Sequence, residues 1–162
     1  MKRSLAFAVF ALIAAPALAR DSLGMFGQWA AFRDPQSPRC YAIAMAAPST
    51  RQREFQPYAD VAWWPRAQVR GQVHFRLSRK LAPNASISLS IGGQRIALTG
   101  GGADAWAPDK RGDAAIIAAM RSASEMTVSA RDAAGQGFSN TWSLEGAATA
   151  MDAATVGCAS LR

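Results

Sequence analysis

The chain has 162 residues, with 18 Lys and Arg against 11 Asp and Glu, a formal net charge of +7, two cysteines and one histidine. That length suits one domain with a sizeable core. One histidine and two widely separated cysteines make a poor metal set, and the absence of Cys-x-x-Cys removes support for a thioredoxin-like role, so no metal or cofactor is expected.

The N-terminus is read first. Lys2 and Arg3 form a short positive head, residues 5–16 an uncharged apolar run, and Ala17-Leu18-Ala19 the small-x-small pattern cut by signal peptidase. The run is shorter than the roughly 20 apolar residues a membrane-spanning helix needs. The expectation is a secretory signal peptide over 1–19, cleavage after Ala19, and a periplasmic or secreted chain without a transmembrane segment. In an oxidising compartment, the even pair Cys40 and Cys158 reads as a disulfide.

Residues 26–32 and 40–45 read as two strands, the second with Tyr41, Ile43 and Met45 on one side, joined by a loop with Pro35 and Pro38. Val61-Ala62-Trp63-Trp64 is a short extended segment ended by Pro65. Neighbouring strand residues face opposite ways, so one of Trp63 and Trp64 faces the core at most. From residue 69, Val69, Gly71, Val73, Phe75 and Leu77 alternate with Gln68, Arg70, Gln72, His74 and Arg76, a half-buried strand with a wet, basic face.

Ile87-Ser88-Leu89-Ser90-Ile91 and Gln94-Arg95-Ile96-Ala97-Leu98 flank Gly92-Gly93. A type I′ turn there pairs Ile91 with Gln94, Leu89 with Ile96 and Ile87 with Leu98, placing the apolar residues on one face. Gly100-Gly101-Gly102 reads as a flexible joint. Asp113 is the expected cap of a helix over about 113–122. Met126, Val128 and Ala130 face Phe138, Asn140, Trp142 and Leu144 across a turn at 133–137. Ala147, Met151, Ala154 and Cys158 recur at helical spacing over 147–158. Trp29 and Trp142 sit in apolar alternation and are expected in the core. The whole predicts a mainly β chain, an antiparallel β-sandwich or strongly curved sheet with two short helices.

Between residues 33 and 80 there are nine basic residues against Asp34, Glu54 and Asp60. Such a segment suits an anionic partner, and Arg66, Arg70, Arg76, His74 and Trp64 are its candidate binding residues. The plain alternative is that Arg- and Ala-rich composition reflects a GC-rich genome writing ordinary surface positions. No nucleic-acid module is present. For catalysis, His74 reads as an exposed strand histidine, no Gly-x-Ser-x-Gly occurs, and Asp104, Asp109 and Asp113 read more simply as caps and solvated charges than as a glycosidase-type set.

Several motifs occur in a familiar order: an export signal, Phe26-Gly27-Gln28-Trp29, Arg39-Cys40-Tyr41, Asn140-Thr141-Trp142-Ser143-Leu144-Glu145-Gly146, and a final Cys158. The chain thereby resembles the invasion-associated locus B family of exported alphaproteobacterial proteins. That family carries Gly-x-Trp near its mature start and Tyr-Ser-Leu-x-Gly-Phe-x-x-Ala before a C-terminal cysteine. Trp142 stands where the family has Tyr, Ala147 where it has Phe, and the family's extra cysteine after the early Trp is absent. The resemblance implies a small exported β-rich domain and supplies no catalytic residues. The export signal, the missing catalytic set and the basic, aromatic-bearing segment over 33–80 lead to a non-enzymatic domain of this type binding an envelope glycan, lipopolysaccharide or host surface. The alternatives are an envelope hydrolase built on His74 or the Asp104, Asp109 and Asp113 group, and a structural partner of another exported protein joined by strand addition.

Overall fold

A computed structural model describes residues 20–161; the expected signal peptide, 1–19, lies outside them. The strands are β1 (Asp21–Phe26), β2 (Trp29–Asp34), β3 (Arg39–Met45), β4 (Tyr58–Trp64), β5 (Val69–Arg76), β6 (Ile87–Ile91), β7 (Gln94–Gly101), β8 (Asp104–Trp106), β9 (Glu125–Arg131) and β10 (Gly137–Ser143). The helices are α1 (Lys110–Met120) and α2 (Ala147–Gly157). All strands join one antiparallel sheet in the order β1-β2-β3-β4-β5-β8-β7-β6-β9-β10. The sheet folds over on itself, so that Phe75 of β5 meets Trp142 of β10 with ring centroids 5.5 Å apart. It remains open, with β1 and β10 as its ends. Among the described residues no helix is long and apolar enough to cross a membrane.

Local chemistry explains most of these elements. The β6–β7 hairpin has the expected register, Ile91 opposite Gln94, Leu89 opposite Ile96 and Ile87 opposite Leu98. Gly92 and Gly93 both have positive φ there, as a type I′ turn requires. The β9–β10 hairpin also has the expected parity, with Trp142 opposite Met126 and Phe138 opposite Ala130. Asn140 lies on its buried face because Ser78 satisfies it: Asn140 Oδ1 accepts from the Ser78 N–H and Nδ2 donates to the Ser78 hydroxyl.

Three expectations are corrected. The early strand over 26–32 is two strands meeting in a tight turn at Gly27-Gln28, because Asp21–Phe26 pairs back on Trp29–Asp34. β3 places Tyr41, Ile43 and Met45 on one side, as expected, and it is Cys40, Ala42 and Ala44 on the other that face the core. The Gly100-Gly101-Gly102 joint is the end of β7 and its turn into β8, with Gly101 opposite Asp104. Helix α1 begins at Lys110, capped by Asp109, whose carboxylate accepts from the Gly112 N–H at 2.8 Å. Asp113 accepts instead from the Val73 N–H at 2.9 Å, a β5 group beyond the reach of the three-residue β8.

Alanine is not merely surface filler. Ala31, Ala42, Ala44 and Ala59 on the sheet, and Ala147, Ala150 and Ala154 on α2, are all fully or nearly fully buried. Small side chains at this layer let α2 lie close over β1 to β4. Its last turn is tied down by the Cys40–Cys158 disulfide, with Cα atoms 5.6 Å apart.

The two motifs that carry the family resemblance meet in space. The Gln28 N–H donates to the Glu145 carbonyl at 3.1 Å, and Trp29 Nε1 donates to the Ser143 carbonyl at 2.9 Å. Other donors continue along this edge of β10. The Ala47 N–H reaches the Thr141 carbonyl at 2.8 Å, and Arg51 Nη1 reaches that of Gly137 at 2.9 Å. At the opposite end of the sheet, β1 is interrupted by a bulge between Ser22 and Gly24. Occupied carbonyls and bulges both blunt a sheet edge against added strands.

Candidate functional site

The five candidate binding residues divide among three places. Trp64 lies on the outer face of β4, where the Arg39 guanidinium sits over its ring at 5.2 Å and over the Tyr41 ring at 4.8 Å. His74 and Arg76 belong to a second cluster on the outer faces of β4, β5 and β8. Arg66 and Arg70 share a groove with Trp63.

In the second cluster, β5 pairs with β4 on one side and β8 on the other, setting His74 opposite both Asp60 and Trp106. Its Nδ1 lies 2.8 Å from Asp60 Oδ2 and its Nε2 3.1 Å from Asp104 Oδ1. Arg76 Nη1 donates to the other oxygen of Asp104 at 2.7 Å. Trp106 stacks on the imidazole at 5.3 Å, Tyr58 meets it edge-on at 5.7 Å, and Phe55 lies under Arg76 at 4.5 Å. A neutral imidazole donates through one nitrogen only, so two carboxylate partners require the imidazolium. Burial pushes the His74 pKa down, but the hydrogen bonds and charges of Asp60 and Asp104 outweigh it and raise the value overall. The Tyr58 pKa is raised by burial and by the same two carboxylates.

With His74 and Arg76 charged, two cations balance two carboxylates. The cluster therefore presents no net positive field, and neither ring nitrogen is free to take a proton from a substrate. His74 is half-buried and fully engaged, unlike the exposed strand histidine expected from its polar neighbours. The acids of the hydrolase alternative do not converge: Asp104 serves His74 and Arg76, Asp109 caps α1, and Asp113 serves Val73.

This cluster has a consequence for stability. The folded His74 pKa lies above its unfolded value, so its stabilisation is complete below about pH 6.5 and is lost as pH rises through the raised folded value. A thermal-melting series from pH 5.5 to 9 should show the midpoint falling across that window. His74→Gln should remove this component, and an unchanged pH dependence in that variant would show that His74 is not its source.

The groove is built differently. β4 ends at Trp64 and the chain makes a single 3₁₀ turn, Pro65–Ala67, before Gln68 adopts a left-handed conformation at φ 55°. After this reversal Arg66 and Arg70 line one groove together with Trp63, Pro65, Gln68 and Val69. Thr155 of α2, and Cys158 and Ala159 in the 3₁₀ turn that follows it, complete the lining. The groove encloses about 710 Å³, within the usual range for small-molecule sites. A backbone outlier in a non-glycine residue at such a place is a feature often retained at binding sites.

Arg66 and Arg70 are exposed, and neither makes an ion pair among the described residues. Among the described residues no carboxylate lines the groove. Sequence patterning pointed to Arg66 and Arg70 but not to Trp63, Thr155 or Cys158. The C-terminal segment is brought there by the disulfide, and the register shift that leaves Gly71 of β5 unpaired sets Arg70 opposite the inward-facing Trp63. Trp63 packs against the core cluster while Trp64 faces outward under Arg39, as opposite strand faces require.

The chain matches no protein-family model, and no curated protein or solved structure is similar to it.

Proposed function

We propose that the protein is an exported, non-enzymatic binding domain of the invasion-associated locus B type, holding an anionic envelope component such as lipopolysaccharide or an acidic glycan. The observation that carries this reading is the pair Arg66 and Arg70, two guanidinium groups that have no counter-ion among the described residues and line one groove with Trp63. Charge in a cleft attracts anionic ligands, and guanidinium groups hold phosphate or carboxylate oxygens in bidentate fashion. Export is supported by the signal-like N-terminus and by the Cys40–Cys158 disulfide, since such bonds persist in oxidising compartments.

Binding of the oxidised protein to lipopolysaccharide and acidic-glycan surfaces tests it. Arg66→Glu with Arg70→Glu should weaken binding by about tenfold or more, the size expected when charge-assisted contacts are lost. Arg95→Glu, on exposed β7 outside the groove, should leave binding unchanged. Equal loss in both variants would indicate non-specific attraction to a basic protein.

A further inference from the structure

We propose that the groove takes an amphiphilic phosphate, its phosphate head on Arg66 and Arg70 and its apolar part along Trp63, Pro65, Val69 and Ala159. This rests on the groove being the ligand site, and narrows the ligand to one chemical class. Two features of the lining carry it.

The first is charge. Two guanidinium groups line one groove with no acid among the described residues to offset them. A carboxylate brings one negative charge, whereas a phosphomonoester brings about 1.5 to 2 near neutral pH and three acceptor oxygens. The dianion therefore matches the pair, and its oxygens suit two planar forks approaching from either side. After the Gln68 reversal Arg66 and Arg70, four positions apart in sequence, line the same groove.

The second is the rest of the lining. Trp63, Pro65, Val69 and Ala159 are apolar, and Trp63 also packs against the core. An aromatic ring held in this way offers apolar surface at little entropic cost. A fully hydrophilic anion would leave those side chains without a partner. The Thr155 hydroxyl already donates to the Met151 carbonyl at 2.8 Å, so it adds no free donor to the helix side. The charged groups of the lining are therefore the two guanidiniums, with the Gln68 amide as an uncharged polar neighbour and Trp63, Pro65, Val69 and Ala159 as the apolar members.

Three probes distinguish the sources of this chemistry: dodecyl phosphate below its micelle-forming concentration, inorganic phosphate, and dodecyl maltoside. Each is titrated calorimetrically into the oxidised protein, with tryptophan fluorescence recorded in parallel. Dodecyl phosphate should bind at least tenfold more tightly than either of the others. Arg66→Gln with Arg70→Gln should reduce its affinity to that of dodecyl maltoside without moving the melting temperature, since both side chains are exposed.

Equal binding of inorganic phosphate would overturn the proposal by showing the apolar wall idle. Equal binding of dodecyl maltoside would overturn it by showing the arginines idle. If dodecyl phosphate fails to bind while an acidic glycan binds in an Arg66- and Arg70-dependent manner, the amphiphile is wrong and the anion groove stands. If no anion binds, both are wrong.

Discussion

Replacing Cys40 and Cys158 together by alanine is expected to lower folding stability by about 4 kcal/mol, approaching 5 at most. The bridge closes a separation of 118 residues, and loop-closure entropy removed from the unfolded chain grows with the logarithm of that length. The structure adds a reason for this domain to depend on it. The layer between α2 and the sheet is built largely of alanines, which bury little apolar area each. Against the roughly 5–15 kcal/mol of stability available to an ordinary domain, such a loss is large. Urea unfolding of the oxidised protein and the double variant measures it. A difference below about 1 kcal/mol, within the range of ordinary surface changes, would mean that packing alone holds α2 in place.

Gly146→Ala is the second large effect. Gly146 sits at φ +85° ahead of α2, and a Cβ placed on it would lie 1.8 Å from the Phe26 carbonyl oxygen and 2.9 Å from the Gly27 nitrogen. The left-handed conformation costs an alanine about 1–2 kcal/mol. Because the obstructing atoms are backbone, relief requires parting the β1–β2 turn from the end of β10, at about 1–3 kcal/mol more by analogy with overpacking. Gly27 faces the same crowding, since its Cβ would lie 2.6 Å from the Glu145 carbonyl oxygen. Gly135→Ala is the control: its φ is +78° but nothing lies within 4 Å of the added Cβ. It should lose only the conformational part. If the denaturation midpoints of Gly146→Ala and Gly135→Ala move equally, the close approach of the two motifs contributes nothing.

These two predictions give physical content to the motifs recognised in the sequence. Gly27-x-Trp29 and Trp142-Ser143-Leu144-Glu145-Gly146 are halves of one junction, in which backbones come too near for side chains and an indole N–H closes the seam. The glycines and Trp29 are therefore explained by fold, and none of them lines the groove. The same junction bears on the structural-partner alternative. The edge of β10 that a visiting strand would use is met by Gln28, Trp29, Ala47 and Arg51.

Elements whose signal is local were legible from residue order alone. The β6–β7 hairpin is specified by two glycines and a period of two, and α2 by a helical recurrence ending in a cysteine. The fates of Trp29 and Trp142 follow from apolar alternation. Where patterns were short, neighbours decided. Asp109 took the cap of α1 because Asp113 was required by an unpaired β5 N–H. The parity of β3 was set by what α2 allows beneath it.

The site belonged to tertiary structure for the same reason. Charge counts put nine basic residues between 33 and 80, but whether each cation remains available depends on which acid the strand register sets opposite it. Pairing β5 with β4 and β8 gives His74 two aspartates and Arg76 one, whereas Arg66 and Arg70 meet none among the described residues. Net charge is additive along a chain, but the field at a groove is not. It depends on separations of a few ångströms between residues far apart in sequence, which only the folded register fixes.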